Sequence, residues 1–411
     1  MTALADAVLP RIRTRAELYR WGASNAHGRQ MHEAVDILEQ ELPVGDPADV
    51  YDVTHRALAS ALKVIARADD SSGIIGDACR RLIDLHPRAA AAADVPQRRL
   101  IDWMLKFQFD GDQVDYFELD PVSYANALGA AGIETYRARL DAVRKEIGFE
   151  PPGAECFQAA GFHQRHVLLH NDQRLAVLDR DVEAIVRTHL RDGGVVAWFE
   201  DTAKAFEEIG MHDLAIDWAR QGGEFDAGWQ SQRAGKYWCE LLDQHRGPDE
   251  QVAARLAVFR RWPLADSATA LRRSAGSAWG DYSEYVMERL SERPDQAVLF
   301  ALEKPTDAEL AWELAWSLDL ESAELWSDVA EAYEAIDPLE TLSIHQRLAE
   351  SDLVHADPRS YRAAARRLAR MRSLADGTRR ADAVDALIER LRADNKHRPR
   401  LQSEFDRAGL P

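Results

Sequence analysis

The sequence predicts an all-α protein of stacked antiparallel helix pairs, and three observations lead there. The stretch Ala197–Gly222, AWFEDTAKAFEEIGMHDLAIDWARQG, places Phe199, Ala203 and Phe206 at i, i+4 and i+7, on one face of a 3.6-residue helix. Gly210 is its stop, because glycine enters the left-handed region at little cost. Leu214, Ala215 and Trp218 then begin a second stripe, with small Ala203 and Ala215 allowing two helices to approach closely. The same order returns at Trp326, Ala330 and Tyr333, followed by Asp337-Pro338 and then Leu342. A recurring helix–turn–helix pattern marks a helix-pair repeat. Finally, Ala, Leu, Arg and Glu dominate the composition, while long alternating Val/Ile runs are missing.

At 411 residues the chain exceeds a usual single core, which predicts two domains or one long array. The clearest punctuation is Gly148–Glu155, GFEPPGAE, with two prolines and two glycines. It divides an expected N-terminal helical domain, 1–150, from an expected repeat region, 151–411, ending in basic helices. The net charge of −19 argues against broad binding to nucleic acid. Its distribution is uneven: from Arg359 onward there are 14 Lys/Arg against 7 Asp/Glu. Such a basic end implies an anionic partner or docking against the chain's own acidic flank.

Cys79, Cys156 and Cys239 form no CxxC or CxC pair, and their odd number fits reduced thiols in a cytoplasm. Met1–Pro10 is too short for a signal h-region, and no apolar run approaches the roughly 20 residues that span a bilayer. A cytoplasmic protein with no membrane contact is the expectation.

In chain order, Met31, Ala34, Val35 and Leu38 form the first strong helical stripe, broken by Pro43–Pro47. Val50–Ala66 is the next helix. The following Asp69-Asp70-Ser71-Ser72-Gly73 lacks the twelve-residue ligand pattern of an EF-hand loop, so it reads as a turn with a helix N-cap. Helices continue through Arg98–Phe109 and Pro121–Ile147, the latter interrupted around Gly129–Gly132.

His163, His166 and His170 then lie on one helical face. Imidazole is a common metal ligand, yet a straight helix separates His163 from His170 by about 10 Å, too far for one ion. An adjacent pair would need a further ligand from elsewhere, and no Cys or Glu nearby matches a known ligand pattern. We therefore expect ordinary hydrogen-bonding histidines and neither metal nor cofactor.

Nine tryptophans, from Trp198 to Trp326, fall in the repeat region, most at helical core spacing. Large aromatics between stacked helices are chiefly packing residues, and Trp198, Trp229, Tyr237 and Trp238 are the candidates for partner anchors. In the last segment Arg359, Arg362, Arg366 and Arg370 form one stripe on Arg359–Leu374, with Tyr361, Ala365, Leu368 and Met371 opposite. Arg362, Arg366 and Arg370 are the candidate contacts to an anionic partner. A further helix carries Val384, Leu387, Ile388 and Leu391, and Pro399 is a helix interruption near the end of the chain.

Several stretches together resemble an uncharacterised bacterial α-helical family: RALASALKVIARADDSSG, RDVEAIVRTHL, AKAFEEIGMHDLAIDWA, and SYRAAARRLARMRSL with the tail through ALIERLRADNKHRPRL. Related repeats form the helical C-terminal portion of some SWIM-type zinc-finger proteins. The resemblance implies a TPR-like α-solenoid and no reaction. A SWIM finger needs CxC and CxH pairs, which this sequence lacks.

No GxSxG, Walker loop, strand-borne Rossmann glycines or HExxH is present. The expected function is therefore a non-enzymatic helical-repeat scaffold binding a protein or peptide partner. The alternative is a nucleic-acid-contacting accessory protein using the C-terminal arginine stripe.

Overall fold

The computed structural model describes residues 2–109, 117–148, 161–303 and 306–411. Their regular secondary structure is helical, and their β character is limited to an isolated bridge between Leu18 and Ala68. All-α is the fold class. Contacts divide the chain into two compact units, Met1–Ala215 and Ile216–Pro411. Apart from Gly148, the punctuation expected at Gly148–Glu155 lies outside the described residues.

The first unit holds α1 (Ala3–Ile12), α2 (Trp21–Glu41), α3 (Pro47–Ile65), α4 (Ile74–Ala92), α5 (Gln97–Phe109), α6 (Ala125–Ile147), α7 (Phe162–Asp179), α8 (Val182–His189) and α9 (Val196–Glu208). Its helix ends follow local chemistry. Asp46 caps α3, with Pro47 in the first turn, and Asp181 caps α8 by accepting from Ala184 N–H at 3.0 Å. The Asp69–Gly73 turn does cap a helix, with Asp70 accepting from the Ile75 and Gly76 amides at 2.9 and 2.8 Å. Gly129, at φ +61°, kinks α6 where the glycines predicted an interruption. At the end of α9, Gly210 takes φ +72°; its amide donates to Glu207 O and that of Met211 to Phe206 O. This pair of bonds is the Schellman closure that the glycine implied.

One apolar core runs through α1–α7. Within it lies a closed polar ring. Gln108 donates to the Tyr136 hydroxyl at 2.6 Å, Tyr136 donates to Asn171 at 2.7 Å, and Asn171 donates back to Gln108 at 2.8 Å. All three are buried, and Gln108 and Asn171 each donate in addition to a carbonyl of their own helix, Met104 O and Val167 O, so the side-chain polar groups are met without water. The ring ties α5, α6 and α7 together.

Helix α10 (His212–Glu224) begins in the first unit and ends in the second. The second unit continues with α11 (Trp229–His245), α12 (Pro248–Arg261), α13 (Ala265–Ala275), α14 (Gly280–Ser291), α15 (Pro294–Leu302), α16 (Ala308–Ser317), α17 (Ala323–Tyr333), α18 (Leu342–Val354), α19 (Pro358–Ala375), α20 (Ala381–Asp394) and α21 (Pro399–Arg407). From α11 to α20 consecutive helices pack on one another, as stacked hairpins require, and α21 packs back on α19. Trp326 is 2% exposed and donates its indole N–H to Leu320 O at 2.7 Å, sealing the turn before α17. Trp312 stacks on Tyr333, with ring centroids 4.4 Å apart. Trp326 is core, as its spacing suggested, while Trp312 and Tyr333 are half-buried.

Candidate functional site

The four aromatic anchor candidates do not gather in one place. Trp198 belongs to α9 of the first unit, where the Arg191 guanidinium lies 4.8 Å from its ring. Trp229 opens α11, is 67% exposed, and carries Arg233 at 5.5 Å from its ring. Tyr237 and Trp238 are half-buried on the same helix. At about 100° per residue, the nine positions from Trp229 to Trp238 turn roughly half a circle. The two indoles therefore leave α11 on opposite sides.

Trp238 has the more informative surroundings. It lines a groove of about 390 Å³ with Trp262, Arg260, Arg261 and Glu224. The floor exists because Gly223 of α10 crosses Gly235 of α11 without side chains between them. A Cβ added at Gly223 would stand 3.0 Å from the Gly235 Cα. One wall is fixed by Trp262, whose indole N–H donates to Ala227 O at 3.0 Å, and by Arg261, which donates to Asp226 O at 2.9 Å. A half-covered indole between two arginines and a glutamate can hold an apolar side chain beside a charged one.

A second concave feature lies between α19 and α21. Asp357 starts α19 by accepting from the Arg359 and Ser360 amides, with Pro358 at the first helical position. Tyr361, Ala364, Ala365, Leu368 and Met371 are buried, leaving Arg359, Arg362 and Arg366 on the outer face. These three line a hollow of about 550 Å³, joined by Arg407 and Glu404 from α21. The Glu404 carboxylate is only 10% exposed and accepts from Arg407 at 2.9 Å. Arg407 is the residue that sequence reasoning missed: it lies more than forty positions from Arg359, Arg362 and Arg366, and only the basic surplus of the whole tail pointed toward it.

Arg370, the last residue of the predicted stripe, is not part of this hollow. Its guanidinium pairs with Glu334 beyond α17, whose side chain is 9% exposed. His345 of α18 also donates to Glu334, at 3.0 Å. Burial would push the Glu334 carboxyl up, but Arg370 and His345 hold it below its ordinary value. Arg370 thus joins three helices rather than extending a binding row.

The α7 histidines are engaged by hydrogen bonds. His163 meets Gln108 O at 3.0 Å. Glu118 stands 3.2 Å from both His166 and His170. Among the described residues no group of three or more His, Cys, Asp or Glu is arranged to hold a metal ion. A different histidine cluster lies deeper. His86 uses both ring nitrogens, meeting Tyr124 OH and His55 Nδ1 at 2.9 Å each, and stacks on Trp103 at 4.2 Å. Burial first, then His55, lowers its pKa to about 3, so the ring is neutral. With both nitrogens and one ring face engaged, this is a packing device rather than a site for chemistry.

Fold and surface together define an all-α helical-repeat protein with grooves between neighbouring helices. The chain belongs to the family of unknown function DUF6880, whose profile matches residues 6–397. No curated protein matches it. Among solved structures, it is similar to a circular tandem repeat protein with novel repeat topology and enhanced subunit contact surfaces. That similarity has 14% identity, covers 98% of this chain and 93% of the other, and has a TM-score of 0.16. A score this low carries no weight for the fold, which rests on the helices themselves. No described helix is long and apolar enough to cross a membrane.

Proposed function

We propose that this chain is a non-enzymatic scaffold that captures a protein or peptide segment on its helical surface. The observation carrying the reading is the Trp238 groove, whose apolar wall and Arg260/Arg261 rim suit an apolar side chain flanked by acidic residues. Surfaces between stacked helices commonly serve such binding. A bacterial, cytoplasmic setting belongs to this proposal, and the free, buried thiols of Cys79 and Cys239 support the cytoplasmic part of it. The finer likeness to the helical portion of SWIM-type zinc-finger proteins also stays within it.

The test is selection of peptides from a displayed library on the whole chain, followed by fluorescence anisotropy with the wild type and Trp238→Ala. Saturable binding that weakens in the variant is the expected result. Retention no better than for scrambled peptides would overturn the reading.

The second reading, contact with nucleic acid, draws on the concave set Arg359, Arg362 and Arg366. Diversion of Arg370 to Glu334 shortens the row, and no aromatic side chain lines the hollow to stack on a base. Unchanged retention of Arg362→Glu/Arg366→Glu on DNA and RNA at low salt would rule it out.

A further inference from the structure

We infer that the hollow between α19 and α21 is a binding site for a small anion carrying two phosphoryl groups, such as a diphosphate. This site is separate from the Trp238 groove and does not depend on the scaffold reading.

Charge is the first ground. The protein carries −19 overall, and its arginines are commonly paired with carboxylates, as Arg174, Arg255, Arg367 and Arg372 are. Among the described residues, no carboxylate lies within ion-pair distance of Arg359, Arg362 or Arg366. Arg362 uses one donor on Pro358 O at 3.1 Å, which positions the guanidinium and leaves its terminal nitrogens for another acceptor. Three like charges line one concavity in a chain rich in potential partners. That arrangement opposes itself unless an external anion completes it.

Geometry narrows the ligand. The three guanidiniums recur at i, i+3 and i+7 of α19 and face Arg407 across a hollow of about 550 Å³. This volume lies within the range of small-molecule sites. Planar guanidinium forks match phosphoryl oxygens in pairs. Four arginines and Glu404 give the hollow a formal charge of +3. A diphosphate carries about −3 near neutrality, since each phosphoryl group contributes roughly −1.5 to −2. The α19 amides are not available as a further cradle, because Asp357 already accepts from those of Arg359 and Ser360. Recognition rests on the side chains.

Another basic hollow, in the first unit, offers a comparison. Arg13, Arg15, Lys63 and Arg67 line about 510 Å³ there. Arg13 donates to Ser60 and Arg67 to Thr14 O, and Lys63 stands where the other hollow has only planar guanidinium forks to meet phosphoryl oxygens. It has the same sign and similar size, which makes it the internal control.

The test is calorimetric titration of the full chain with inorganic pyrophosphate at low ionic strength. The variants are Arg359→Gln, Arg366→Gln, Ala408→Glu and the control Arg15→Gln/Lys63→Gln. Ala408→Glu keeps every arginine but places a carboxylate at the edge of the hollow. One saturable site is expected. Loss of one charged hydrogen-bond donor should weaken it about tenfold. Ala408→Glu should weaken it comparably, and the control should stay within about twofold, since its donors are not used. Equal loss in the control, or no saturable binding by the wild type, would overturn the proposal. So would a single-stranded oligonucleotide that binds more tightly than pyrophosphate and is released by the same variants, since the hollow would then be part of a longer track. Unaltered thermal midpoints confirm that the substitutions, the half-buried position 408 included, leave the fold intact.

Discussion

Arg370 reaches from α19 to the nearly buried carboxylate of Glu334, just past the end of α17, and His345 of α18 meets the same carboxylate. Three consecutive helices are joined by one acidic group. Glu334→Gln keeps the shape but removes the charge facing Arg370. We expect a loss of about 1–3 kcal/mol, the usual scale for a charged hydrogen bond, read as a lower urea midpoint with an unchanged slope. A midpoint equal to that of the wild type would show the pair to be ornamental.

The closed ring of Gln108, Tyr136 and Asn171 predicts a different kind of loss. Asn171→Leu fills similar space but leaves the buried Tyr136 hydroxyl without its acceptor and the buried Gln108 carbonyl oxygen without its donor. Each orphaned group costs about 1–3 kcal/mol. Hydrogen exchange of α5–α7 amides should accelerate, because their tertiary support is weakened. Unchanged protection in those helices would contradict this account.

Histidines held neutral by burial give the protein an acid-sensitive stability. His86 has a folded pKa of about 3, against about 6.5 when unfolded. The unfolded chain therefore takes up the proton first. This contribution is complete above about pH 6.5 and lost as pH falls toward 3. His345 and His189 are shifted in the same direction, each chiefly by burial. Glu334, held low, adds stability that is complete above the ordinary carboxylate range and lost as pH falls through its depressed value. Between pH 7 and pH 5, His86 should account for about 2 kcal/mol. Urea titrations at the two pH values should show a smaller difference for His86→Gln than for the wild type; an equal difference would refute the assignment.

Thiol chemistry offers a check on both units. Burial pushes Cys79 up to about 12 and Cys239 up to about 11, so neither is a thiolate at neutral pH. Peptide-mapped labelling with iodoacetamide at pH 8 should leave both unmodified until denaturant is added. Rapid labelling of either in the native protein would show that its helices open far more readily than their packing implies.

Local features were legible in the sequence. The apolar stripes of α2, α9 and α19, the glycine stop at Gly210 and the kink at Gly129 each depend on residues a few positions apart, where periodicity and backbone preference decide the outcome. The pairings that shape the surface were not legible. Arg370 meets Glu334 thirty-six positions away, and Arg407 joins Arg359 and Arg362 from another helix. A stripe on one helix specifies which residues face outward but not what stands opposite them. For the same reason Trp238 was visible as an aromatic on a helix, while its groove depended on Gly223, which no anchor search would single out.

The crossing of Gly223 and Gly235 has a fifth measurable consequence. Gly223→Ala puts a methyl group against backbone, which cannot rotate aside, and overpacking of this kind costs about 1–3 kcal/mol. The same methyl would wedge α10 away from α11 and change the tryptophan fluorescence of the Trp238 groove; an unshifted emission maximum would show that the helices do not part. The width of that groove is written in hydrogen atoms. Two positions without side chains act as a gauge that holds its walls at one spacing, so a chain could alter what the groove admits by substituting a residue that never touches the guest.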